Sequence, residues 1–451
     1  MMEKETLKRE INLFGGISIL SGIMVGSGIF FIGSYVLMRL EFSLGLALLA
    51  WLLGGLITLG YGLIYAELGT MLPKAGGYYV YLKEAFGKPL AFMSGFMNLT
   101  IASSGSIAAL ALAFSFILHN MSMMLLGTAI PTFVQIIISI VMIVGLSILN
   151  FFGVRLSTAI MKVFLILKAI PIFLVLIVGL LFGTQTVDLS LRINQPFFSV
   201  LAMIGYAVIA TFWAYEGWTN LNNVAGEIEN PKRNLPLSLI ISILSITGLY
   251  VLYQYSLFNV LSVTQMQDLI ANGEIYLGIN ATAQIMGSIG MYIVMGTMLL
   301  SVLGALNAVI MTFPRVYYAM SKDGLMFESF QKLHPTYKTP TIAIVASGII
   351  SIFLLVFGLD NLISLVAFGA LVFNTLIFIG LFMLRKKQPD LVRPYKVWGY
   401  PVFPAIIIAI TILLLVATFV ESIVPSLYGT GLILIGLPVY YGIEAYKRKK
   451  T

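Results

Sequence analysis

The 451-residue chain has no cysteine, only two histidines, and few charges: Asp, Glu, Lys and Arg make up 10% of it. Without cysteine there is no disulfide and no thiolate metal site. The histidines, His119 and His334, are both expected in loops, and the carboxylates nearest apolar runs (Glu67, Glu216, Glu421 and Glu444) are scattered. No HExxH pattern and no Gly-x-Ser-x-Gly elbow is present. An enzyme buried in apolar surroundings would need a nucleophile, metal ligands or paired acids, so the chain reads as a non-enzyme with no metal and no cofactor. A channel would need a repeated filter or a polar ring, and neither is visible. The net charge of +8 comes with no RNA- or DNA-binding motif, which argues against a nucleic-acid partner. Soluble domains carry about 25% charged residues on average, and a chain this poor in charge has too little polar surface to dissolve.

What is present is apolar sequence, 59% of the chain, with a mean hydropathy of +1.01. Twelve runs reach the roughly 20 residues that a bilayer crossing requires. They lie at 14–38, 44–72, 89–117, 131–151, 158–182, 197–225, 235–260, 287–320, 341–358, 361–384, 401–421 and 424–446. The runs do not alternate polar and apolar, which excludes a barrel, so α-helices must satisfy the backbone groups that lipid cannot. With the N-terminus placed inside, 22 of the 26 Lys and Arg fall on the inner side; only Arg39 and Arg192 lie outside, while Lys162 and Lys168 fall within a span. That asymmetry predicts cytoplasmic termini. The basic residues set topology and face the anionic headgroups of the lipid bilayer. No cleavable signal peptide is expected, because the charged start MMEKETLKRE leads into a run too long for a signal core.

Two runs carry breaks near mid-membrane depth: Gly26-Ser27-Gly28 in the first and Tyr215-Glu216-Gly217-Trp218 in the sixth. Interrupted helices at matching positions of two halves point to a transporter binding site. Five spans separate them, so the second unit would be inverted relative to the first. The predicted architecture is a single all-α membrane domain over 1–451. A first five-helix repeat covers 14–182, a second covers 197–384, and helices 11 and 12 with the tail cover 385–451. Glycine in membrane helices also marks ordinary close packing. The connection PKAGGYYVYLKEAFGKP (73–89) reads either as a short cytoplasmic or re-entrant helix or as an interfacial segment with belt tyrosines.

Four motifs in order resemble the L-type amino acid transporter family of the amino acid–polyamine–organocation superfamily. They are GIMVGSGIF (22–30), YAELGTMLPKAGGYYVYLKEAFG (65–87), FWAYEGWTNLNNVAGEIENPKRNLPLSLIISI (212–243) and ALNAVIMTFPRVYYAMSKDG (305–324). The resemblance spans nearly the whole chain and looks like a bacterial member. It implies a LeuT-like 5+5 inverted repeat with helices 1 and 6 unwound, and sodium-independent exchange of neutral L-amino acids across the plasma membrane by alternating access. A proton-coupled symporter of the same fold is the alternative. Animal members pair with a single-span glycoprotein through a disulfide. The absence of cysteine rules out that link, and the chain is expected to act alone with an amino acid as its small-molecule partner.

An amino acid zwitterion must leave water with both charges compensated. A half-helix starting near Gly28 offers unpaired N–H groups and a positive dipole end to the carboxylate, with Gly26, Ser27 and Gly28 lining it and Ile29 at its edge. Free carbonyls near Ile23, Met24 and Val25, with those near Trp213, Ala214 and Glu216, suit the ammonium. The resemblance implies that Trp213 gates the substrate and that Asn307 belongs to the site. It also implies that Lys168 replaces the coupling sodium of sodium-dependent relatives, whereas Lys162 is better placed to snorkel to the interface. Glu216 has three readings: it repels anionic substrates, binds a cationic group, or holds the unwound segment together. Asn220, Asn222 and Asn223 either contact substrate or bind other helices. The side-chain pocket is expected among spans 3, 6, 8 and 10.

Overall fold

The computed structural model describes residues 7–26 and 28–448, apart from the side chains at 124, 154–156, 160–162, 165, 168, 170–171, 360 and 446. Ser27 and the side chains of Lys162 and Lys168 therefore lie outside the described residues. Among the described residues helices are the regular elements, as they must be in an apolar chain whose spanning segments have to satisfy their own backbone groups.

The first apolar run forms α1 (Leu13–Met24) and α2 (Gly28–Arg39), which meet at 48°. Asn12 caps α1, its side chain accepting from the Gly15 N–H at 2.8 Å. Next come α3 (Leu44–Met71), α4 (Tyr78–Phe86) and α5 (Lys88–Met97). A π-turn (Asn98–Ala102) carries the chain into α6 (Ser103–Leu126). Then follow α7 (Thr132–Phe151), α8 (Val154–Phe182), α9 (Phe197–Tyr215), the one-turn α10 (Asn220–Asn223) and α11 (Pro231–Val260). The remainder is α12 (Val263–Ala271), α13 (Leu277–Thr312), α14 (Pro314–Lys322), α15 (Thr341–Leu354), α16 (Leu359–Lys387), α17 (Val402–Glu421) and α18 (Ile423–Arg448).

Among the described residues nine helices are long and apolar enough to cross a bilayer, and ten if α1 and α2 count as one broken span. The protein is a multi-pass membrane protein. Several boundaries depart from the sequence expectation. The sixth run stops at Tyr215 instead of continuing to 225, because Glu216 is extended and Gly217 takes φ +113°. The eighth begins at Leu277, ahead of the expected 287, with Gly287 breaking it at φ +62°. His119 belongs to α6 rather than a loop, and its Nδ1 accepts from the Ile130 N–H at 3.2 Å. Within the 73–89 connection Tyr78–Phe86 is a helix, and its tyrosines are not belt residues: Tyr79 and Tyr81 are fully buried.

The bundle interior is built by α3 on α11, by α13 on α6 and α8, and by α1 on both α8 and α11. Large side chains such as Phe133, Val141, Leu413 and Val420 point outward, as lipid-facing positions do. Charges gather at helix ends. Arg385 grips Glu67 with two bonds of 2.8 and 2.6 Å, and the Val397 N–H adds a third at 2.7 Å, so α3 anchors the segment between α16 and α17. Arg315 pairs with Glu227 at 2.9 Å with both side chains buried. At the opposite end of the bundle, Arg39 on α2 pairs with Glu421 on α17 and donates to the Tyr206 carbonyl of α9 at 2.6 Å.

Candidate functional site

The two helix breaks sit against each other. Gly28 packs directly on Ala214: a Cβ there would fall 2.6 Å from the Ala214 Cα. In return Gly217 faces Ile23, where a Cβ would lie 2.2 Å from the Ile23 Cγ2. Each break thus supplies the glycine that lets the other backbone approach.

Hydroxyl groups hold the junction. The Tyr250 hydroxyl on α11 lies 2.7 Å from the Met24 carbonyl and 3.0 Å from the Ala214 carbonyl. Ser301 on α13 donates to the Val25 carbonyl and reaches Gly26 O at 3.3 Å. These carbonyls were expected to be free for an ammonium. Each instead accepts a hydroxyl, and the Met24 carbonyl also accepts the Gly26 N–H at 2.8 Å. Nothing in the local sequence marks Tyr250 or Ser301; they come to the break only through packing.

Three cavities meet at Glu216. The largest, about 340 Å³, runs between α2, α9, α16 and α17 from the Arg39–Glu421 pair down to Trp213 and Glu216. A central chamber of about 60 Å³ lies on the broken first helix and is lined by Ile23, Met24, Gly26, Gly28, Trp213 and Glu216, with Ser106 and Asn220 beside them. A side chamber of about 70 Å³ extends from Glu216 towards α3, α4 and α16. Trp213 borders both the large cavity and the central chamber.

The remaining expected residues stand off the central chamber. Val25, Ile29 and Ala214 are buried behind it. Asn307 lies elsewhere: its Oδ1 accepts from Asn150 at 2.8 Å and its Nδ2 donates to Ser157 at 3.1 Å, so it ties α13 to α7 and α8. Of the three asparagines after the second break, Asn220 borders the central chamber and accepts from Thr312 at 3.0 Å, while Asn222 accepts from Tyr81 at 2.9 Å. Trp218 is packed against Tyr61 and Tyr65, with ring centroids 5.5 and 4.8 Å away. Among the described residues no three His, Asp or Glu side chains converge to hold a metal ion.

A family model described as amino acid permease matches residues 11–443, almost the whole chain. The chain belongs to the amino acid permease family. It is a transporter and not an enzyme, and its likeness to the L-type branch extends along its full length. It is similar to the serine/threonine exchanger SteT of Bacillus subtilis, at 33% identity over 100% of this chain and 99% of that protein. It is also similar to the human b(0,+)-type amino acid transporter 1, at 31% identity over 98% of this chain and 89% of that one. The human cystine/glutamate transporter is 30% identical over 99% of this permease and 87% of its own length.

Proposed function

We propose that this permease is a sodium-independent exchanger of neutral L-amino acids, working by alternating access. The observation that carries the reading is the reciprocal packing of Gly28 on Ala214 and Gly217 on Ile23, which sets two broken helices around one small chamber. A zwitterion in that chamber has N–H groups at the start of α2 for its carboxylate and the carbonyls of the α1 end for its ammonium. The chamber's small volume suits a short side chain, and the Bacillus relative's name, a serine/threonine exchanger, supports hydroxyl amino acids as candidates.

The same reading takes the fold as twelve spans, with α8 and α15 joining the ten apolar crossings, in a LeuT-like inverted repeat of 14–182 and 197–384 and an appendage of 385–451. Trp213 acts as the gate. Lys168 takes the place of a coupling sodium, since α8 packs against α1. The chain works alone in the plasma membrane with both termini in the cytoplasm.

One observation favours a second reading, a proton-coupled symporter. Among the described residues no basic side chain pairs with Glu216, although it sits where three cavities meet. Uptake of labelled serine, alanine, leucine and arginine into proteoliposomes separates the two. Exchange predicts uptake only into vesicles preloaded with amino acid, with no ion gradient. Uptake into empty vesicles that requires a proton gradient would replace the exchanger by the symporter.

A further inference from the structure

The side chamber holds polar groups that the zwitterion does not need. Asn374 on α16 is buried and borders both the large cavity and the side chamber, as Glu216 does. The Tyr65 hydroxyl donates to the Asn374 Oδ1 at 2.7 Å. That bond fixes the amide, and its Nδ2 keeps two N–H donors with no partner among the described residues. On the α4 wall the Tyr78 hydroxyl is buried with no hydrogen-bond partner in the described protein. Of the other polar walls, Ser94 donates to Ala91 O at 2.8 Å, Ser106 donates to Ala102 O at 2.7 Å and the Asn98 Oδ1 accepts from Tyr317 at 3.1 Å, while Thr219 also borders the chamber. An unpaired donor beside an open chamber is completed by whatever enters it, water or a ligand group.

We propose that the side chamber is the side-chain subsite of the transporter and reads a short hydroxyl-bearing side chain through Glu216, Asn374 and Tyr78, with Tyr65 as a positioning residue. This rests on the amino acid exchange reading and adds the substrate's chemistry to it. The central and side chambers share Ser106, Phe313 and Glu216, so one amino acid spans them with its charged end on the broken first helix. A hydroxyl both donates and accepts. It donates to a Glu216 carboxyl oxygen and accepts from the Asn374 amide or the Tyr78 hydroxyl. A methyl in its place leaves all of these unpaired. A site built to hydrogen-bond a hydroxyl rejects the analogue lacking it far better than an apolar pocket rejects an extra methyl.

The test compares serine with alanine and threonine with its near-isostere valine. Each is offered to full-length protein, in exchange by proteoliposomes and in ligand-induced thermal stabilisation of the purified protein. The wild type is expected to favour the hydroxyl partner by roughly tenfold or more in each pair, the scale of one hydrogen bond with its buried partners left unmade. Asn374→Leu should bring both ratios close to one. Tyr78→Phe and Tyr65→Phe, which each delete one oxygen atom, should lower them several-fold, and they carry the test if Asn374→Leu does not fold. A loss of packing alone would weaken all four amino acids together and leave the ratios in place. Ratios near one in the wild type, or ratios unmoved in folded variants, would overturn the subsite. Hydroxyl-selective stabilisation without any exchange would overturn the exchange reading and leave the subsite standing.

Discussion

The Tyr250 hydroxyl shares its proton between the Met24 carbonyl at 2.7 Å and the Ala214 carbonyl at 3.0 Å, joining the frayed ends of two helices far apart in sequence. Where α1 and α9 end, carbonyls lose their helical donors, and in a water-poor interior something must replace them. The phenol donates at both breaks, joined at Met24 by the Gly26 N–H at 2.8 Å. Tyr250→Phe keeps the ring and its packing against Trp51 and Tyr215 but takes the hydroxyl from both carbonyls, leaving Met24 with the Gly26 N–H and Ala214 short of a donor. A stability loss of about 1–3 kcal/mol is expected, read as a lower Tm of the purified protein, together with a clear fall in exchange. An unchanged Tm and normal exchange would mean that the two breaks do not depend on this bond.

Gly217 combines φ +113° with Ile23 pressed against it. Gly217→Ala must therefore either move Ile23 or give up the turn, and transport should be lost even where protein reaches the membrane. Gly248, inside α11, has open space around it, with nothing within 4 Å of where an added methyl would stand, and Gly248→Ala should leave transport intact. Equal effects of the two substitutions would remove the reciprocal glycine junction as an explanation.

The Arg315–Glu227 pair has side chains only 1% and 3% exposed, whereas Arg39 and Glu421 are 29% and 37% exposed. Breaking a buried pair strands a charge, at a cost of about 3–5 kcal/mol. Arg315→Met should thus lower folded yield sharply, and adding Glu227→Gln should restore part of it. A double-mutant cycle on Arg39 and Glu421 should show coupling of no more than about 1 kcal/mol. A larger coupling at the exposed pair than at the buried one would reverse this order.

Lys168→Ala is expected to cut exchange strongly while the protein still inserts, because the proposal gives the ammonium the role of a bound ion between α8 and the first break. Uptake at the wild-type rate by folded variant would leave the lysine without a part in transport.

The chain's lack of cysteine makes topology directly measurable, since a single introduced thiol is the only one to label. Lys8→Cys should react with an impermeant reagent from the cytoplasmic side only, and Arg192→Cys from the external side only. Labelling of both positions from one side would overturn the assigned orientation.

Composition, run length and charge asymmetry were sufficient to establish a helical membrane protein and to propose its orientation, because lipid leaves an apolar chain few alternatives. The breaks at Gly26–Gly28 and at Glu216–Gly217 were legible too, since glycine and a carboxylate in an apolar run are local signals. What sequence could not supply was the set of long-range partners. Tyr250, Ser301 and Asn374 sit in ordinary apolar helices and Tyr65 opens the 65–87 motif, and the roles of all four arise from which helix faces which. Asn307 illustrates the converse: it lies within a recognisable motif, yet rotation about α13 turns its amide to Asn150 and Ser157 and away from the chamber. The sequence by itself determined where the backbone must break; the tertiary packing decided which hydroxyls and amides meet those breaks, because helix rotation and crossing are fixed by side-chain contact across the whole bundle.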